Sequence, residues 1–146
     1  MSRVYLLSAD RPLPLCDMEE NWTRVIKLSE RLRNPDLRGR ESVISGKSQF
    51  RIQEHSYYRG AVDELELDMK GYQYELEVTK DQWSLEALTA YFRENLSLGE
   101  QVELWSLWIG NESIPPVRYA GYLSDFDMDT LHQFLDAESI CITITV

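Results

Sequence analysis

Acidic side chains at alternating positions are the residues of this sequence best placed to do chemistry. Glu64, Glu66 and Asp68 alternate with Leu65, Leu67 and Met69, and Glu75 and Glu77 alternate with Tyr74, Leu76 and Val78. Carboxylates on one side of an extended segment can receive Lys or Arg from another protein, and a close pair can exchange protons with a substrate. Proton transfer needs two carboxylates set apart from the rest by spacing or environment, and no such pair stands out here. Charge recognition is therefore the favoured chemistry.

The same alternation predicts a β-hairpin that turns at Lys70 and Gly71. In that register Met69 faces Tyr72, Leu67 faces Tyr74 and Leu65 faces Leu76, giving one apolar face. Glu66 then opposes Glu75 and Glu64 opposes Glu77, a like-charge arrangement that calls for a basic cover. The cover can come from within the chain or from a partner, or water and salt can screen the face.

Other constellations are weaker. Asp125, Asp127 and Asp129 suggest a calcium loop, but Thr130 stands where an EF-hand needs Gly and Asp136 where it needs Glu. Asp127 reads instead as a helix N-cap. His55 and His132 lack Cys or His neighbours at ligand spacing, and Cys16 and Cys141 form no C-x-x-C pair, so neither a metal nor a cofactor is expected. Phosphate-binding glycine loops, G-x-S-x-G and H-E-x-x-H are all missing from the sequence. Arg38 and Arg40, in a polar stretch over 34–48, are candidates for clamping an anionic ligand in a small-molecule-binding or enzymatic domain. Trp105 and Trp108 are candidate apolar anchors for a protein partner.

These residues must be positioned by an α+β fold. The apolar run Val4 to Leu7 predicts a strand covered on both faces, and Asp17 with Glu20 predicts a capped helix over about Met18 to Arg33. The segment 34–48 reads as a loop, and Phe50 to Tyr58 as a strand. After the hairpin, Asp81 or Ser84 can cap a helix carrying Leu85, Leu88, Tyr91, Phe92 and Leu96, with Gly99 placed to stop it. Gln101 to Ile109 is apolar on both faces and predicts a central strand. A strand at Val117 to Leu123, a helix over about Asp127 to Asp136 and a β-branched terminal strand complete the chain. The expectation is one domain over 1–146, an antiparallel sheet with helices on one face. From Tyr72 onward the order also fits a ferredoxin-like split βαβ arrangement.

The chain has 146 residues and a formal net charge of -10. The first sixty carry 11 basic and 8 acidic side chains (+3), and the remainder carries 4 and 17 (-13). Such a balance argues against binding nucleic-acid phosphates. No apolar run approaches the ~20 residues of a membrane span, and Val4 to Leu7 is too short for the core of a signal peptide. A cytoplasmic protein with reduced thiols is the expectation. The functional expectation is a non-catalytic acidic protein that binds a basic protein through Glu64, Glu66, Asp68, Glu75 and Glu77, with Trp105 and Trp108 as anchors. In size and charge the chain resembles bacterial immunity proteins that block nucleases, inhibitors whose targets have basic active surfaces. A homodimer built through aromatic strand faces is a further expectation.

Overall fold

The computed structural model describes residues 2–27, 41–110 and 114–146. Within them the chain forms β1 (Ser2–Ala9), β2 (Cys16–Lys27), β3 (Glu41–Glu54), α1 (Arg59–Asp63), β4 (Tyr72–Val78), α2 (Gln82–Asn95), β5 (Gln101–Ile109), β6 (Val117–Tyr122), α3 (Met128–Asp136) and β7 (Ile140–Thr145). All seven strands join one sheet in the order β2-β3-β4-β1-β5-β7-β6. Every neighbouring pair is antiparallel except β6 and β7, which run parallel. The class is α+β, as the sequence predicts. β1 and β5, the two continuous apolar runs, pair with each other near the middle of the sheet, where both faces are covered.

One face carries α2 and α3. Asp81 caps α2 by accepting from the Ser84 N–H at 2.8 Å, and Asp127 caps α3 by accepting from the Thr130 N–H at 2.9 Å. Burial raises the Asp81 pKa, but the Ser84 N–H and the hydroxyls of Thr79, Ser48 and Ser84 outweigh it and hold the carboxyl below its usual range. The predicted stripe Leu85, Leu88, Tyr91 and Phe92 packs onto Leu7, Phe50, Leu76 and Leu104. At the end of α3 the Leu135 carbonyl accepts from Arg3 at 2.8 Å and from Tyr5 Oη at 2.7 Å, so β1 terminates the helix. The five-residue α1 lies on the opposite face, where the sequence predicts no helix.

β4, α2 and β5 make a split βαβ unit with β1 between its strands, while β6, α3 and β7 make an adjacent parallel unit at one edge. The ferredoxin-like interleaving of the two units is not formed. β1 already fills the slot between β4 and β5 that the third strand of an interleaved pair would take.

Three local expectations change. The helix predicted over Met18 to Arg33 is replaced through Lys27 by β2, and 28–33 lies outside the described residues. The loop predicted over 34–48 contains the first half of β3 from Glu41 onward, with 34–40 outside the described residues. Both errors have one cause: β2 and β3 stabilise each other across a long connection, pairing Met18 with Phe50 and Trp22 with Gly46. The hairpin at Lys70 and Gly71 does not form either. β3 and β1 occupy both edges of β4, so residues 64–70 have no strand partner and cross the sheet face as an irregular strap.

Candidate functional site

The strap turns its two kinds of residue in opposite directions. Leu65, Leu67 and Met69 pack with Val62 of α1 against Val4, Leu6, Trp105, Leu107 and Cys141 on the sheet. Asp63, Glu64, Glu66 and Asp68 are exposed, and among the described residues no Lys or Arg lies within ion-pair distance of their carboxylates. The apolar alternation thus has its expected effect of sorting side chains onto two sides, although it does so in a non-strand segment. Glu66 has a φ of 52°, the left-handed region that costs a residue with a Cβ roughly 1 kcal/mol or more.

A buried polar cluster ties the strap down. Glu103 in β5 is buried; its Oε1 accepts from the Ser8 hydroxyl at 2.7 Å and from the Lys70 backbone N–H at 2.9 Å. Trp105 Nε1 donates to Ser8 Oγ at 3.0 Å. Arg118 of β6 stacks its guanidinium 4.9 Å from the Trp105 ring, approaches Glu103 Oε2 at 4.0 Å and donates to the Asp68 carbonyl at 3.1 Å. Lys70 Nζ adds an ion pair to Asp10 at 2.7 Å. Backbone groups of the strap that a strand ladder would satisfy, the Lys70 N–H and the Asp68 and Lys70 carbonyls, are here met by side chains from β5, β6 and β4.

Near the other end of the strap, the His55 side chain is buried with neither ring nitrogen hydrogen-bonded, and its Nδ1 lies 3.9 Å from Glu75 Oε1. Burial lowers the His55 pKa, partly offset by the Glu75 charge. Cys141 lies beneath the strap, and burial raises its thiol pKa to about 12, so it is a poor nucleophile at neutral pH.

The expected partner-binding residues therefore separate. Glu64, Glu66 and Asp68 share the exposed side of the strap. Glu75 instead lies on the sheet, where Gln53 donates to it at 3.1 Å, and Glu77 pairs with Arg51 at 3.1 Å. Arg51, from the basic first part of the chain, also pairs with Asp17 at 3.3 Å, so among the described residues the internal cover considered for the acids reaches Glu77 but not the strap. Trp105 is fully buried beneath the strap and is not an exposed anchor; Trp108 is half-buried on the helix side under Arg3, 4.5 Å from its ring. Arg38 and Arg40 lie outside the described residues.

Glu103 and Arg118 hold the site together and were not singled out by the acidic alternation. Their signals were present: Glu103 is a charge inside an otherwise apolar central run, and Arg118 is the only basic residue after Arg93. Comparison with protein-family models, with curated proteins and with solved structures gives no match.

Proposed function

We propose that the protein is a non-catalytic binding protein that offers the acidic side of the strap to a basic protein surface. The observation that carries this reading is the row Asp63, Glu64, Glu66 and Asp68, held outward by the inward packing of Leu65, Leu67 and Met69 and ion-paired to no Lys or Arg among the described residues. A row fixed in place needs little ordering on binding, and its field speeds encounter with a cationic surface. Tyr57, 84% exposed just before α1, supplies an apolar contact near one end of the row. An inhibitor or immunity protein acting on an enzyme with a basic active surface is the specific form that fits the size and charge. The free thiols of Cys16 and Cys141 suit a reducing, cytoplasmic compartment.

The test is affinity capture with the full chain, followed by titration of the captured protein against wild type and the triple variant Glu64→Lys, Glu66→Lys, Asp68→Lys. The expected result is a loss of at least roughly 100-fold in affinity for the variant, and weaker wild-type binding as salt is raised. Affinity that survives both charge reversal and salt overturns the reading.

A further inference from the structure

The β6 edge of the sheet lacks the features that usually keep an edge strand from pairing with another chain. All six of its residues are exposed, Pro115 and Pro116 precede it but no Pro or Lys lies within it, and none of the residues 114–122 is acidic. Its one charge, Arg118, is drawn back over Trp105 and the Asp68 carbonyl. Ile114, Val117, Tyr119 and Tyr122 are the large apolar groups left exposed along it. The opposite edge, β2, carries Asp17, Glu19 and Glu20. Two chains of net charge -10 therefore meet least repulsion at β6.

The register of β6 makes this edge self-complementary. The Val117 N–H donates to the Ser139 carbonyl at 3.1 Å, so 117, 119 and 121 direct their backbone groups to β7 while 118, 120 and 122 direct theirs outward. Antiparallel pairing about a two-fold axis at Ala120 matches Ala120 with Ala120 and Arg118 with Tyr122. That register uses every outward donor and acceptor, up to about six hydrogen bonds. The intervening pair sets Tyr119 opposite Gly121. A Cβ added to Gly121 would meet no atom within 4 Å, and above it a cleft of about 290 Å³ lies between Tyr119, Phe126, Gln133, Ile142 and Ile144. The molecule already contains the same pairing: Trp22 lies over Gly46 across β2 and β3, where a Cβ would come within 2.2 Å of the ring.

We infer that β6 is the docking edge for a second copy of this chain, each copy placing Tyr119 over Gly121 of the other and filling its cleft. The half-exposed aromatic rings contribute on the order of 100 Å² each. With Ile114, Val117 and the paired backbone the contact reaches roughly 1,000 Å², the lower limit for a specific interface. A contact at this lower limit is expected to be reversible. It does not depend on the acidic strap, and the two respond oppositely to salt: screening the net charge strengthens self-association while it weakens capture of a cation.

Sedimentation velocity of the full chain across a concentration series tests the inference, with Gly121→Val to fill the cleft and Ala120→Pro to remove the central outward N–H. Wild type is expected to shift from monomer to dimer, more readily at higher salt, while both variants stay monomeric with an unchanged thermal midpoint. Should Ala120→Pro lower that midpoint, Gly121→Val carries the test alone, because its site is open in the monomer. A wild type that stays monomeric at about 1 mM, or a dimer that persists in Gly121→Val, overturns it.

Discussion

On the helix-covered face Leu88, Phe92, Leu131 and Phe134 are fully buried against residues such as Phe50 and Leu104. On the strap-covered face Leu65, Leu67 and Met69 stay partly exposed, and the sheet buries Ser8, Glu103 and His55 among its apolar groups. The difference follows from backbone geometry. A helix satisfies its own N–H and C=O groups and brings an apolar stripe to the sheet, so α2 and α3 need side-chain partners only at their ends. The strap has no such ladder. It must be tethered group by group, and a layer held by a few buried hydrogen bonds opens before one held by a continuous core. Local stability is expected to be lower where the acidic row stands.

The widest separation between the two layers is expected from truncating one apolar side chain in each. Phe92→Ala removes a fully buried ring from the helix layer and should cost about 3 to 5 kcal/mol. Leu67→Ala removes a partly exposed side chain that contributes less transfer free energy, and should cost about 1 kcal/mol. Urea unfolding of both variants gives the comparison, and equal losses would show that the layers are energetically alike.

The next effect is local. Glu103→Ala leaves the Lys70 N–H, the Ser8 hydroxyl and Trp105 Nε1 in a poorer network, for a loss of about 2 kcal/mol. Because Lys70 is one end of the strap, amide hydrogen exchange should accelerate across 64–70 while the amides of α2 keep their protection. Uniform acceleration throughout the chain would mean that the strap has no independent opening.

How much of this could be read beforehand depends on whether the deciding partner was near in sequence. Asp81 and Asp127 cap their helices as the local pattern predicts, because a cap acts within three residues. The central positions of β1 and β5 were equally legible, since burial on both faces requires a continuous apolar run. The acidic alternation predicts two sides, which form, and a hairpin, which does not: β4 pairs with β3 and β1, and a local period says nothing of that competition. The helical pattern of β2 misleads for the same reason, its partner β3 lying beyond a long connection. Of the candidate site, Glu64, Glu66 and Asp68 were visible as a set. Glu75 and Glu77 join them only through a hairpin pairing that does not occur, and Trp105, expected as an apolar anchor, is buried by a strap whose course no local pattern shows.

The smallest expected effect concerns Glu66, which alone among the described residues other than glycine has a positive φ. Nothing comparable burdens α2, where the positive φ falls on Gly99, past the helix end, with its N–H donating to the Val146 carbonyl at 2.8 Å. Three substitutions separate conformation from charge. Glu66→Gly removes the Cβ that makes this region unfavourable but loosens the unfolded chain, for a net gain of roughly 0.5 kcal/mol. Glu66→Asn keeps a side chain that tolerates the conformation, removes the same charge and should gain a few tenths of a kcal/mol. Glu66→Gln removes the charge without relieving the backbone, so chemical denaturation should place it below both. If Gln stabilises as much as Gly, crowding of like charges in the row, rather than backbone conformation, is what the strap holds in tension.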